Sequence, residues 1–311
     1  MQHLALMSAI AALCYLMIPG LGAIAVRRRW RRFRARVIDA SETPMISSHL
    51  PIRAGIPTER LGVFRFAGAL EAIQGQNTVW LRGAQLSVAV EMDDVRVYML
   101  PSESEISGDG PEGVNAPEHP LLVLRWRKLH AMVEGTGFYV VGAAYREHGK
   151  IVFKAEADQP LLVLVYDGDQ ATVLERALWY GRHRNEYWNP VTLPALAVGA
   201  ITLAWLAYYS LGTPFYRTHT LVAAVLASMP VLPLLPPGTL FLVLYQRLWK
   251  QGRLHRAQRD MLVFKAPDRR EDAGSYARSA ERAELASLAT LAIGLGLNAY
   301  LLLIAITALL L

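Results

Sequence analysis

The sequence predicts an α+β membrane protein: four transmembrane helices, with a small antiparallel β-barrel or sandwich domain plus one helix inserted after the first. Three observations carry this. Of 311 residues, 53% are hydrophobic and only 19% charged, below the roughly 25% of an average soluble domain. Four stretches stay apolar over the roughly 20 residues a span needs. Between the first two of them, short runs of Val, Leu, Phe, Tyr and Trp alternate with turn residues, the pattern of strands.

Transmembrane helix 1 is expected at 1–26, followed by a basic juxtamembrane segment and linker at 27–60. The soluble β-rich domain takes 61–189. Helix 2 follows at 190–212 and helix 3 at 220–247. A basic cytosolic loop or helix spans 248–284, and helix 4 closes the chain at 285–311.

No basic residue precedes the first span, whereas Arg27, Arg28, Arg29, Arg31, Arg32, Arg34 and Arg36 follow it. A cleavable signal peptide has the opposite polarity. By the positive-inside rule these arginines lie inside, as do Arg247, Lys250 and Arg253 after the third span. Both termini are then outside and the β-rich domain is cytosolic, as expected for a multi-pass protein of a bacterial inner membrane. The same ten cations are expected to hold anionic lipid headgroups. The net charge is +6, yet residues 37–189 hold 14 basic and 20 acidic side chains. An acidic domain argues against nucleic acid as its partner.

Span three carries Pro230, Pro233, Pro236 and Pro237, then Gly238. Each proline removes a helix donor and clashes with the preceding turn, so the spacing predicts a broken helix. Two readings follow, a structural kink or the discontinuous helix of a transport site. Gly20 with Gly22, and Gly294 with Gly296, sit in G-x-G-x-x-A patterns. In lipid these predict close helix packing rather than a dinucleotide fold, with Asn298 adding an interhelical hydrogen bond. Such spans leave a homo-oligomer open.

Within the soluble domain strands are expected at Val63–Phe66, Thr78–Leu81, Leu86–Val90, Val95–Leu100, Leu121–Trp126, Phe138–Ala143, Ile151–Phe153 and Leu161–Tyr166. His148-Gly149 and Asp167-Gly168 are turn sites. Residues 101–119 are polar, acidic and rich in Pro and Gly, and read as a mobile loop. A helix is expected from Asp169 or Gln170 to about Tyr187.

The stretch 134–187 carries Gly137, Val141 and Gly142, a turn at Gly149, and Pro160 before the apolar run Leu161–Val165. The helix Leu174–Leu178 then feeds a span. This resembles the GIDE domain of Mulan-like membrane ubiquitin ligases, and the span–domain–span order is similar. The resemblance implies a β-rich, membrane-proximal interaction domain. Those ligases end in a RING with seven or eight Cys/His zinc ligands, whereas this chain has the single cysteine Cys14, so ubiquitin ligase activity is excluded.

The eight histidines show no close ligand spacing. No nucleophile elbow, phosphate loop or kinase motif occurs. Glu91, Asp93 and Asp94 read as a solvated corner at a strand end. Trp80 and Trp126 read as core or interface aromatics. No catalytic residue, metal or cofactor is expected. The function expected is a non-catalytic scaffold or accessory protein presenting its cytosolic domain to a protein partner. The alternative is a transporter or lipid-handling protein working through the broken helix 3.

Overall fold

A computed structural model describes residues 2–47, 58–102, 115–128, 132–182, 189–211, 217–266 and 268–310. The chain forms two compact units. One comprises Met1–Trp30, Arg184–Arg259 and Arg270–Leu311; the other comprises Arg31–His183 and Asp260–Arg269.

Among its described residues the second unit holds eight strands: β1 (Thr58–Gln74), β2 (Thr78–Arg82), β3 (Ser87–Glu91), β4 (Arg96–Met99), β5 (Leu122–Arg125), β6 (Gly137–Glu147), β7 (Lys150–Lys154) and β8 (Leu162–Tyr166). They make one mixed sheet in the order β1-β2-β3-β7-β6-β8-β4-β5, and β1 also pairs with β6. The 17-residue β1 bends at register shifts near Gly62 and between Leu70 and Ala72. The bends let its first two-thirds pair with β6 and its last third with β2. β6 lies against three partners and is buried on both faces from Phe138 to Ala144, which matches its unbroken run FYVVGAA. His148 (φ 49°) and Gly149 (φ 78°) turn β6 into β7. Positive φ at both central residues is the two-residue hairpin turn whose twist matches the strands.

The core of this sheet includes Phe66, Leu81, Val90, Val97, Phe138, Val140, Phe153 and Val163. Trp126 is 4% exposed and donates its indole N–H to the Gln76 carbonyl at 2.8 Å. Helix α3 (Val173–Tyr180) follows a 3₁₀ turn at Gln170–Thr172, whose N-terminus Asp169 caps. It packs on β8 and buries Leu178, Trp179 and Tyr180.

The first unit is helical. Helix α1 (Gln2–Ala11) passes through a π-helical segment, Ala12–Met17, into α2 (Ile18–Glu42). Helices α4 (Thr192–Leu211), α5 (Arg217–Ser228), α6 (Gly238–Lys265) and α7 (Arg270–Leu310) follow; α2 and α6 run on into the second unit. Three helices are long and apolar enough to cross a membrane: Ala5–Glu42, Thr192–Leu211 and Glu271–Ala308. Met7, Leu203, Ala207 and Ala223 pack α1, α4 and α5 together. Trp205, Tyr208 and Tyr209 remain exposed near the end of α4, a placement that suits an interfacial aromatic belt.

Several expectations need correction. The sheet is mixed rather than antiparallel. β3 runs parallel to β7 and β4 parallel to β8, pairs distant enough in sequence to allow the long return a parallel ladder needs. Within 220–247, where the prolines predict a broken helix, α5 ends at Ser228, a 3₁₀ turn occupies Leu232–Leu234, and α6 starts at Gly238. Among the described residues, three helices rather than the expected four meet the length and apolarity of a span. The first helix continues through the arginines to Glu42, because arginine is a strong helix former. The last begins at Arg270, where Glu271 and Asp272 suit the positive end of its dipole. The helix expected to reach Tyr187 stops at Tyr180 as α3; residues 183–188 lie outside the described residues, as does 103–114 of the expected mobile loop.

Candidate functional site

A groove of about 520 Å³ opens on the β-rich unit, where the bend of β1, the β2–β3 connection, the start of β6 and the end of β8 meet. Gly68, Gly83 and Gly137 line it, with Arg82, Tyr166 and Gln170 at its sides. A Cβ at Gly68 would stand 2.7 Å from the Arg82 carbonyl oxygen, and one at Gly137 would stand 2.8 Å from that of Tyr166. The close approach of backbones leaves no room for a side chain at Gly68 or Gly137, so part of the groove lining is main chain. Such a lining offers shape and peptide polar groups, which suits an extended segment of another chain.

The groove wall is held from below. Arg176, on α3, is 3% exposed. Its Nη1 donates to the Asp167 carbonyl at 2.7 Å, and its Nη2 donates to Pro101 O at 2.5 Å and Asp167 Oδ1 at 3.1 Å. Ser102 Oγ also donates to Asp167 Oδ2 at 2.5 Å. Arg176 thus ties the ends of β4 and β8 together. Sequence reasoning missed it; the available signal is a single cation inside the apolar run VLERALWY.

A second buried charge cluster lies in the same unit. Arg182 donates through Nε to Asp260 Oδ2 at 2.7 Å, and Arg34 Nε stands 3.5 Å from the same oxygen. All three side chains are at most 7% exposed. Arg34 also donates to the Gly181 carbonyl at 2.9 Å. Nearby in sequence, Lys265 pairs with Glu175 at 2.8 Å. The ends of α2 and α6 are thereby held to the segment that follows α3. This corrects the reading of Arg34 as a headgroup contact: its charge is committed to Asp260. Arg253, 6% exposed, is likewise too buried for that role. Arg28, Arg29, Arg31, Arg32 and Arg247 are exposed, Arg27 and Lys250 half-buried. Arg36 is half-buried and donates to the Pro160 carbonyl.

At the start of β1, Arg60 grips Glu156 through two hydrogen bonds of 2.7 and 2.9 Å, and Tyr145 donates to the same carboxylate at 2.5 Å. The Arg60 and Tyr145 hydrogen bonds hold the Glu156 carboxyl at about 2, below its ordinary 4.5. A depressed carboxyl stabilises the fold above its unfolded value, and the effect disappears as pH falls toward the folded one. Amide exchange at the start of β1 is therefore expected to accelerate as pH drops from about 4.5 to about 2, after correction for intrinsic rates. Glu156→Gln should flatten that response.

The acidic corner is engaged locally. Lys154 reaches Glu91 at 2.7 Å, Arg127 approaches Asp93 at 3.9 Å, and Arg125 approaches Asp94 at 3.5 Å. Trp80 is half-buried, with Lys150 Nζ 5.2 Å from its ring centroid. Among the described residues no group of three or more His, Cys, Asp or Glu is placed to share a metal ion.

In the helical unit Pro230, Pro233, Pro236 and Pro237 all lie between the end of α5 at Ser228 and the start of α6 at Gly238, Pro233 within the 3₁₀ turn, and the Pro236–Pro237 bond is cis. Asn298 of α7 donates through Nδ2 to the carbonyls of Leu232 at 2.5 Å and Leu235 at 2.8 Å. Gly238 allows this approach, because a Cβ there would overlap the Asn298 amide. Gly294, one turn earlier on α7, would bring a Cβ to 2.6 Å from Phe241. Gly22 packs against Asn189, whereas Gly20 and Gly296 face open space within the chain. Asn298→Leu strips both carbonyls of a donor. It is expected to cost about 1–2 kcal/mol, read as a lower unfolding midpoint of the helical unit in lipid discs.

No family, curated protein or solved structure matches this chain.

Proposed function

We propose that this chain is a multi-pass membrane accessory protein that presents its β-rich unit to a protein partner, with the glycine-lined groove as the contact. The groove is the observation that carries this reading. It is open and partly backbone-lined, and the buried Arg176 braces its wall through Asp167. That suits recognition rather than chemistry. The GIDE-like resemblance of 134–187 points the same way. A small closed barrel as the frame is supported by the double pairing of β1 with β2 and β6. The exposed arginines after the first span support contact with anionic headgroups and a cytosolic placement of the unit. A bacterial inner membrane fits that charge asymmetry.

Transport or lipid handling through the Met229–Pro237 break is the second reading. One observation favours it: a membrane-spanning candidate, α7, supplies a buried amide to the break.

Affinity capture of the full-length protein from its native membrane tests the first reading. Ala84 is exposed and lines the groove, so Ala84→Trp fills the groove without touching the core. The partner recovered with the wild-type chain should fall by about tenfold, equivalent to about 1.4 kcal/mol. Undiminished recovery would contradict the groove as the contact.

A further inference from the structure

Asn298 is 3% exposed on a helix apolar enough to span a membrane. It lies 14 residues beyond Glu284, the last charged residue of the chain. That is about 21 Å along the helix axis, against a hydrocarbon core about 30 Å thick. Its Nδ2 is committed to two carbonyls of the break. Its Oδ1 is buried and accepts no hydrogen bond among the described residues.

The break is itself rich in acceptors. Its four prolines remove the N–H groups that a helix would aim at the carbonyls of Leu226, Met229, Leu232 and Pro233. Leu226 accepts from the Met229 amide, and Leu232 accepts from Leu235 and Asn298. No described hydrogen bond meets Met229 or Pro233 in the same way. Irregular backbone at membrane depth persists where protein, water or an ion satisfies it.

We propose that Asn298 Oδ1 and the carbonyls of Met229 and Pro233 bind one small monovalent cation of the sodium class. Neutral oxygens are the ligands that hard cations take. No acidic residue occurs between Glu186 and Asp260, nor after Glu284. A divalent ion would therefore keep most of its charge uncompensated in a low-dielectric setting. This site is independent of the groove, and its failure leaves the partner-binding reading untouched.

Equilibrium binding of radioactive sodium to the full-length protein in phosphatidylethanolamine and phosphatidylglycerol discs tests it. Saturable binding of one ion per chain is expected, competed by unlabelled sodium and not by N-methylglucamine. Asn298→Leu should weaken it at least about tenfold, or about 1.4 kcal/mol, with folding verified by helical circular dichroism. If that variant does not fold, Pro233→Ala serves instead. It returns an N–H to the Met229 carbonyl, favours helix, and should also weaken sodium binding. No saturable sodium binding by the wild-type chain, or undiminished binding by a folded variant, overturns the proposal and leaves water as the partner of Oδ1.

Discussion

Asp260→Asn is expected to destabilise the β-rich unit by about 3–5 kcal/mol. The substitution keeps the shape of the side chain and removes its charge. Arg182 and Arg34, at most 7% exposed, then lose the carboxylate they share. A buried cation that loses a counter-charge has its desolvation returned less fully. Replacing a whole buried pair with apolar groups is often neutral, and the large cost belongs to breaking one half of it. Denaturant unfolding followed by tryptophan fluorescence reads the effect, since Trp126 and Trp179 lie buried in this unit. A change below about 0.5 kcal/mol would mean that the arginines are compensated elsewhere and that Asp260 is not the centre of the cluster.

Phe153→Ala is expected to cost a similar amount, about 3–5 kcal/mol. Phe153 is fully buried on β7, with its ring 6.4 Å from that of Phe66 on β1. It is paired with Ala144 of β6 on one side and Val90 of β3 on the other. The loss combines the transfer free energy of the ring with a cavity that flanking strands can only partly close. Because β7 joins β3 to β6, the change also loosens the link by which the ladder returns to β1. The same unfolding assay reads it. Retention of full stability would contradict the placement of β7 at the centre of the core.

The eight expected strands each fall on one observed strand, and the reason is local. Runs such as FYVVGAA and LLVLV have the length and branching of buried strands, and turn residues mark their ends. Their pairing is not local. Ala89 opposite Val152 and Val97 opposite Val163 are contacts across more than 60 residues, and no short-range pattern encodes them. The buried Asp260 cluster was hidden for another reason. Arg34 sits within a run of arginines, and Asp260 ends a basic run from 247 to 259. Composition alone reads both as membrane electrostatics, because an arginine facing headgroups and one facing a distant aspartate look the same in sequence. The groove was illegible too. Gly68 and Gly137 carry no chemistry, and their role appears only once Arg82 and Tyr166 bring carbonyls against them. Asn298 was legible as a polar residue in an apolar helix, whereas its partners Leu232 and Leu235 were not, since proline positions mark a break without saying what fills it.

The most direct test of the partner-presenting role is site-specific photocrosslinking in the native membrane. A photoreactive residue would be placed at Ala84, Thr136 or Gln170 along the groove, and separately at Lys150, exposed at the β6–β7 turn. A protein adduct of one defined mass from the groove positions, absent from Lys150, is the expected result. Adducts to lipid alone, or the same protein adduct from every position, would contradict the groove as a recognition surface and return the function to the membrane-spanning helices.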